Sequence, residues 1–260
     1  LLHVYVAQQK SLFEWLTARG LHFEGVELAA GQSAARSHSI DPGQLILVLN
    51  EIAQASENVT VRTDTTAAYL LREDDGGRIK GVTVEESGRL EDVMARRGVV
   101  IATGGFARSE GLLQTFAPQQ AKALRVGGVG NAGDGLRMAW RHGADLRDMG
   151  EIKGTFGAHA FDCNNGQEIL LIFYRGAIIV NRKGERFVDE SVSYKLIGDA
   201  ALGQDEPTSW QIFDRNIFDG SVGAARLFDA QAALNRGLLV KADSLEDLAG
   251  QCGIDPRALA

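Results

Sequence analysis

The sequence has few cysteines and no concentrated charge. Its 260 residues include two cysteines, Cys163 and Cys252, which lie far apart and form no C-x-x-C pair. A disulfide framework and a zinc–cysteine cluster are therefore excluded, and a reducing compartment is expected. The 27 basic and 34 acidic residues give a net charge of -7, and no run of five or six like charges occurs. This balance argues against a nucleic-acid groove and against binding to an anionic membrane surface.

Long apolar segments are missing as well. The longest apolar run is ILLIFYRGAIIV, residues 169–180, and Arg175 interrupts it. A membrane-spanning helix needs about 20 apolar residues, so no span is predicted. The chain opens with LLHVYVAQQKSLFEWL, which has neither a basic start nor a small-residue cleavage site. We expect a helix there rather than a signal peptide, and a cytoplasmic protein. The five histidines show no metal-ligand spacing, so no metal site is predicted.

Residues 41–106 predict a helix, a β-meander and a buried strand. Asp41 is a helix cap and Pro42 a first-turn residue. Three β-rich runs follow, with turn signals between them, over residues 59–73, 78–87 and 93–106. The last run contains GVVIATGGF, whose apolar residues do not alternate with polar ones, as in a strand covered on both faces of a parallel sheet. Ligands at such sheets lie beyond the carboxyl ends of the strands, which here means residues 103–105.

A second glycine cluster, VGGVGNAGDGLRMAWRHG, occupies residues 126–143 and leads into a predicted helix. It contains G-x-G-x-x-G, but the preceding QQAKALRV is too polar for the strand that a dinucleotide fingerprint requires. The favoured interpretation is a glycine loop that presents backbone N–H groups, with a helix N-terminus behind it, to an electron-rich ligand. Asp134 either belongs to this site or is only the cap of the helix.

The pattern changes near residue 150, which places a predicted domain boundary at about residue 149. The segment RGAIIVNRKGERFVDES predicts a β-hairpin with its turn at residues 181–184 and a return strand through 186–188. SVSYKLIGDAAL predicts a helix, and TSWQIFD and GLLVKA predict further short strands. Ser244 is the expected cap of the next helix, and Pro256 begins another.

Three segments in this order carry a resemblance to a known family. They are GVVIATGGFARSEGLL, GNAGDGLRMAWRHGADLRDM and GAIIVNRKGERFVDES. At this spacing they resemble the FAD-dependent fumarate reductase and 3-ketosteroid dehydrogenase superfamily over nearly the whole chain. The resemblance implies an α/β fold: part of a Rossmann-like FAD-binding domain with a β-meander at residues 1–148, and an α+β substrate-capping domain at 149–260. The initial G-x-G-x-x-G unit and the final glycine-rich segment of such proteins are not in this sequence, so we expect an internal piece of a longer polypeptide.

The resemblance also implies FAD as the cofactor and assigns residues to it. Residues 102–105 would lie against the cofactor, where larger side chains would obstruct it, and Ala67 would offer backbone contacts to the adenine. The full set of expected cofactor-binding residues is Ala67, Ala102, Thr103, Gly104, Gly105, Asn131, Gly133 and Asp134.

The same resemblance bears on the substrate. Fumarate reductases of this superfamily carry an arginine proton donor four residues after the glutamate of R-F-x-x-E. They also carry a His-Pro-Thr segment, which follows an Asp-Met pair and binds a carboxylate of the substrate. The corresponding positions here look like Tyr194 and Thr155. Ketosteroid dehydrogenases have a tyrosine resembling Tyr194, which implies a small, apolar carbonyl compound as substrate and hydride exchange with flavin N5. A tyrosine suits the accompanying proton transfer.

Tyr194 is thus one catalytic candidate. Arg175 is the other, as the arginine that would supply the proton if the substrate were fumarate. Each also has a structural interpretation: Tyr194 as a half-buried helix residue, and Arg175 as a hairpin arginine. Two other functions stay open. One is the reduction of a dicarboxylate by a fumarate reductase-like flavoprotein, and the other is a cofactor-free, inactive fragment. The sequence identifies neither the electron donor or acceptor nor the direction of the reaction.

Overall fold

The computed structural model describes residues 2–28, 32–74, 76–159 and 168–259. The chain divides into two compact units, Leu1–Thr65 and Thr66–Ala260. The boundary expected near residue 149 falls inside the second unit, where Met149 and Ile152 pack against the buried cluster that contains Phe106. The division at residue 149 therefore stays a prediction about the domains of the family.

The described residues form nine α-helices and seven short strands. The helices are α1 Leu2–Thr17, α2 Pro42–Gln54, α3 Glu110–Phe116, α4 Asp134–Arg141, α5 Tyr194–Leu202, α6 Arg215–Ser221, α7 Ala230–Asn235, α8 Leu245–Cys252 and α9 Pro256–Leu259. The strands are β1 Gly25–Glu27, β2 Ser37–Ser39, β3 Thr65–Arg72, β4 Ile79–Glu86, β5 Arg89–Met94, β6 Ile178–Asn181 and β7 Ser209–Ile212. No helix among them is long and apolar enough to cross a membrane.

The strands form three small sheets. β1 pairs antiparallel with β2, and β6 pairs antiparallel with β7. β4 lies between β3 and β5, and its pairing with β5 is antiparallel. β3 and β4 lie within the first two predicted runs, which are thus confirmed as strands. The third strand, β5, covers residues 89–94 and not the predicted run at 93–106. The fold is a mixture of helices and antiparallel sheets.

Helix starts follow the side-chain caps that the sequence indicates. Asp41 accepts a hydrogen bond from the Gly43 N–H at 2.7 Å at the start of α2. Ser193 and Ser244 accept from the third residue of α5 and α8 in the same way. Such bonds satisfy backbone donors that have no partner inside the helix. The helices predicted at these positions are therefore confirmed.

Three predicted strands are absent from the described residues. Residues 99–101 belong to none of the sheets found there, and the Val100 side chain is 89% exposed. A strand inside a parallel sheet needs neighbouring strands. Among the described residues this segment has none, although Ile101 contacts α4 at Gly135. The predicted return strand at 186–188 is reduced to a single bridge between Val180 and Arg186, because the neighbouring Ile179 N–H donates to the Glu190 carboxylate rather than to a strand. Residues 237–242 are irregular.

The core of the second unit consists of small clusters that support its loops. One contains Phe156, Phe173, Ile179, Ile197 and Ala201, and joins β6 to α5. Another contains Phe106, Leu112, Leu113 and Ala117, and supports α3. Burial of apolar surface is the main stabilising contribution of such clusters. The first cluster fixes the start of α5, and the second lies beneath the glycine-rich segments.

Glu190 is a buried carboxylate between β6 and α5, with 8% of its surface exposed. It accepts hydrogen bonds from the Ile179 N–H at 2.7 Å and from Arg186 Nη2 at 2.5 Å. Burial by itself raises the pKa of Glu190, but the Arg186 guanidinium and the Ile179 N–H outweigh it and lower the pKa below the ordinary 4.5. The fold therefore favours the charged form, which ties the segment before α5 to β6.

We expect Glu190→Gln to lower the free energy of unfolding at neutral pH by about 1–3 kcal/mol, the usual contribution of hydrogen bonds to a charged group. Because the pKa of Glu190 is lowered in the fold, its contribution is complete above its ordinary value of 4.5 and is lost as the pH falls through the folded-state value. The difference between wild type and variant should therefore shrink in acid. Urea denaturation from neutral to acidic pH measures it.

Asp205→Asn is the control, since Asp205 forms an exposed ion pair with Lys183 and such pairs contribute little. A Glu190→Gln variant whose stability follows the wild-type curve at every pH would contradict the buried-charge interpretation.

Candidate functional site

The two glycine-rich segments expected to bind a cofactor are adjacent in the structure. The Gly133 N–H donates to the Gly105 carbonyl at 3.1 Å. Gly104 has a φ of 73°, and a Cβ built on it would lie 2.2 Å from Asn131 Oδ1. We call residues 102–105 and 127–133 the glycine cradle. Sequence reasoning placed both segments at one ligand, and the structure brings them together.

The glycines of the cradle have two different surroundings. A Cβ on Gly133 would lie 2.4 Å from Leu112 Cδ1, so the protein itself excludes a side chain there. Just outside the cradle, a Cβ on Gly135, the second residue of α4, would lie 2.2 Å from Thr103 Oγ1. By contrast, no atom lies within 4 Å of the Cβ position of Gly105 or Gly130. These two glycines face open space, where a ligand has room to approach the backbone.

The helix behind the cradle begins without a side-chain cap. Its N-cap is Gly133, at φ 83° and ψ 21°, and no side chain bonds to its first turn. Asp134 is therefore not the cap, as one interpretation of the sequence had it; it is the first helical residue, 3.8 Å from the Arg137 guanidinium. The N–H groups of this turn stay available for an electron-rich partner.

Ala67, the remaining cofactor candidate, lies in β3 and is exposed. β3 has β4 on one side and no partner on its other side among the described strands. The contacts described for the chain do not join Ala67 to the cradle, so its role toward the adenine stays a prediction.

Tyr194 is the first residue of α5 and is half-buried against the cluster that contains Ile179 and Ile197. The ammonium of Lys153 lies 5.2 Å from the centre of its ring. The segment that carries Lys153 also contacts α5, because a Cβ on Gly198 would lie 3.1 Å from the Thr155 carbonyl oxygen. Tyr194 and the segment of Thr155, which the sequence singled out separately, thus meet at one helix.

Tyr174 is a neighbour of Tyr194 that sequence reasoning missed. Its hydroxyl is the one buried side-chain polar atom in the described ranges for which no bond meets the geometry of a hydrogen bond. Burial raises the pKa of Tyr174, the nearby Tyr194 backbone N–H opposes this, and the Tyr194 phenol raises the pKa further. Both tyrosines pack against the cluster that contains Ile179 and Ile197. A lone tyrosine in the apolar run ILLIFYRGAIIV was the available signal.

Arg175, the second catalytic candidate, is exposed, and its Cζ lies 5.4 Å from the centre of the Phe228 ring. Its catalytic role stays a prediction. Within the described ranges, no group of three or more histidine, cysteine, aspartate or glutamate residues could hold a metal ion. Cys163 lies outside the described residues.

A family model described as an FAD binding domain matches residues 2–257. The chain belongs to this FAD-binding family. FAD is thus the cofactor that the family binds, and two observations fit it: an exposed cradle of small residues and an uncapped helix start behind it. Both suit the approach of backbone N–H groups to the electron-rich edge of a flavin.

Curated relatives include oxidoreductases of two kinds. A fumarate reductase (cytochrome) from Shewanella frigidimarina is 29% identical over 266 residues, which cover 100% of this chain and 44% of that protein. A 3-oxosteroid 1-dehydrogenase from Mycolicibacterium smegmatis is 30% identical over 239 residues, covering 82% of this chain and 40% of that protein. The chain spans less than half the length of these relatives.

Solved structures agree with the family. The open conformation of a flavocytochrome c3 fumarate reductase superposes with a TM-score of 0.73 at 22% identity, covering 97% of this chain and 44% of that one. A 3-ketosteroid Δ1-dehydrogenase from Sterolibacterium denitrificans, in complex with 1,4-androstadiene-3,17-dione, gives a TM-score of 0.64 at 27% identity, covering 83% and 40%. The fold is therefore that of a part of such flavoproteins.

Gly104→Ala and Gly105→Ala form a matched pair. At Gly104 the new methyl group meets Asn131 and the backbone is left-handed, so we expect the free energy of unfolding to fall by about 1–2 kcal/mol. At Gly105 the methyl group has room, and stability should change little. FAD affinity should fall in both, for different reasons. Denaturation of the chain measures the change in stability, and FAD titration of a flavoprotein that contains the chain measures the affinity. If Gly105→Ala binds FAD with wild-type affinity, the open side of Gly105 is not part of the cofactor site.

Tyr174→Phe should raise the free energy of unfolding by about 1 kcal/mol, because it removes a buried hydroxyl that lacks a well-formed hydrogen bond. Thermal denaturation checks this, with Tyr5→Phe as the control, since Tyr5 is exposed on α1. A lower melting temperature for Tyr174→Phe would reveal a partner for the hydroxyl and contradict the expectation.

Proposed function

We propose that this chain is part of an FAD-dependent oxidoreductase that adds or removes hydrogen across a carbon–carbon bond next to a carbonyl group. The small-molecule substrate is an apolar ketone or enone. The observation that carries the proposal is the pair of phenols at the start of α5, where Tyr194 lies half-buried and the Tyr174 hydroxyl is buried beside it. The 3-oxosteroid 1-dehydrogenase relative supports the same substrate class.

Tyr194 transfers the proton in this proposal. In desaturation the Tyr194 phenolate takes a proton from the carbon next to the carbonyl and becomes the phenol, and in reduction the phenol donates that proton to the carbon. Tyr174 has its pKa raised by burial, so its phenol stays protonated while Tyr194 exchanges its proton. Phe173 and Ile197 place an apolar wall behind the two rings and keep water away. Bound FAD supplies the hydride acceptor or donor at flavin N5, and the glycine cradle holds it.

We also propose the arrangement of domains. Residues 1–148 belong to a Rossmann-like FAD-binding domain, and residues 149–260 to a substrate-capping domain. The structural similarity to two larger flavoproteins supports this arrangement, since this chain covers less than half of each of them. The cytoplasm remains the predicted location.

A dicarboxylate reductase is the second candidate, and one observation favours it. The ammonium of Lys153 lies against Tyr194, where it could attract a carboxylate. The fumarate reductase relative points the same way. Turnover of steroid enones, simple enones and fumarate by the flavin-loaded protein separates the two candidates, because the phenol pair needs no anionic group on the substrate and the lysine does.

Tyr194→Phe is the decisive variant. It keeps the ring against its apolar neighbours and removes the group that exchanges the proton, so fold and flavin content should persist. Turnover of the enone should fall by about 10²–10⁴-fold, the usual contribution of one positioned acid or base. KM should change much less, because the interaction is made mainly in the transition state. Steady-state kinetics and the flavin absorbance measure both quantities.

Tyr5→Phe is again the control, since Tyr5 is exposed on α1. Normal turnover by Tyr194→Phe would make Tyr194 a structural helix residue. Fumarate turnover that exceeds enone turnover would establish the dicarboxylate candidate. If the wild-type protein that contains this chain binds no FAD, the cofactor-free, inactive fragment is the remaining hypothesis.

A further inference from the structure

Arg108 holds both ends of the loop Gly127–Gly128–Val129–Gly130–Asn131, the outer part of the glycine cradle. Its Nε and Nη2 atoms both donate to the Gly127 carbonyl, at 3.1 and 2.9 Å. Its backbone N–H donates to the Asn131 carbonyl at 2.9 Å. One residue, three positions after the first cradle segment, thus contacts the first and the last residue of this loop.

The loop has little else to keep its shape. Three of its five residues are glycines, and Gly127 has a φ of 133°, in a region that other residues rarely adopt. Two short backbone bonds are described for the loop itself. The Asn131 N–H donates to the Gly128 carbonyl at 3.0 Å, and the Ala132 N–H donates to the Gly130 carbonyl at 2.8 Å. Val129 is almost fully exposed and gives no anchor. Glycine-rich backbone loses more conformational entropy on ordering than any other sequence, so such a loop needs bonds from outside.

The guanidinium of Arg108 is bound to a carbonyl rather than to a carboxylate. Among the described residues, no carboxylate lies within 4.0 Å of it, whereas Arg125 nearby pairs with Glu110 at 3.8 Å. Arg137, the other arginine at the cradle, bonds to the Ala132 carbonyl and to Ser109 Oγ, on the helix side of the loop. The fork of Arg108 is therefore used to fix backbone geometry, a task for which lysine is a poor substitute.

We propose that Arg108 is a positioning residue for the cofactor: it holds the Gly127–Asn131 loop in the shape in which the loop backbone meets FAD. Arg108 acts through the loop and not by touching the substrate. The proposal rests on membership of the FAD-binding family and on these contacts, and it is independent of whether Tyr194 exchanges a proton.

The test compares Arg108→Lys and Arg108→Gln with the wild type. Lysine keeps the charge and loses the two-donor fork, and glutamine keeps a donor and loses the charge. Hydrogen exchange of the amides of residues 127–133, measured on this chain without FAD, should become about tenfold faster in both variants, because each loses bonds from a charged group to the loop. Exchange in α5 and β6 should be unchanged, which shows that the fold is intact.

FAD titration of the flavoprotein that contains this chain gives the second readout. Both variants should bind FAD about tenfold more weakly, in parallel with the faster exchange. Arg125→Lys and Arg125→Gln are the matched controls, since Arg125 is close in sequence to the same loop and forms an ion pair with Glu110. They should leave both loop exchange and FAD affinity at wild-type values.

Three results would overturn the proposal. Wild-type loop exchange in both Arg108 variants would mean that other contacts hold the loop. Faster exchange with unchanged FAD affinity would separate the loop shape from the cofactor. Wild-type FAD affinity in Arg108→Lys with weak binding in Arg108→Gln would assign the effect to charge. In each case the wild type still binds FAD and reacts through Tyr194, so the proposed function would stand.

Discussion

The contact between two glycine-rich backbones is the constraint on which the candidate site depends. Residues 102–105 and 127–133 approach so closely that the Gly133 N–H bonds to the Gly105 carbonyl, and Gly104 has no room for a side chain beside Asn131. This approach sets where α4 starts, and its N-cap Gly133 offers no side-chain cap to the first turn. The proposed cofactor contact would therefore be made by backbone rather than by side chains, through hydrogen-bond geometry and without a charged partner.

A second constraint places the phenols. Glu190 is buried, charged and bonded to both β6 and Arg186, so the segment that leads into α5 has one position relative to the sheet. Tyr194 follows four residues later, at the first turn of α5, and the Ser193 cap fixes the direction of the helix. A buried, paired carboxylate is expensive to break. The position of the Tyr194 phenol, the proposed proton-exchanging group, therefore depends on the Arg186–Glu190 ion pair, which has no part in the proposed chemistry.

Local signals predicted much of this structure, and non-local ones could not. Caps such as Asp41 and Ser244 act within one helical turn, so the sequence shows both partners, and those helices were found. Strands depend on partners elsewhere in the chain. Residues 186–188 gained only a bridge, because the Ile179 N–H donates to the Glu190 side chain rather than to a strand. The adjacency of the two glycine segments followed from the family pattern. Tyr174 showed only as a lone tyrosine in an apolar run, and Arg108 acts through contacts with Gly127 and Asn131 that leave no local mark in the sequence.

The two kinds of glycine, in the cradle and at the start of α4, have an evolutionary consequence. Side chains at Gly133 and Gly135 would meet Leu112 and Thr103, which belong to the protein itself, so selection for folding alone retains these glycines. Among the described residues, no atom beyond the chain neighbours lies within 4 Å of the Cβ position of Gly105 or Gly130, so packing does not require these two to stay small. If they face the cofactor, as proposed, a descendant lineage without the flavin would accumulate substitutions at Gly105 and Gly130 first, while Gly133 and Gly135 persisted. Substitution at these four positions would thus date the loss of the cofactor separately from the decay of the fold.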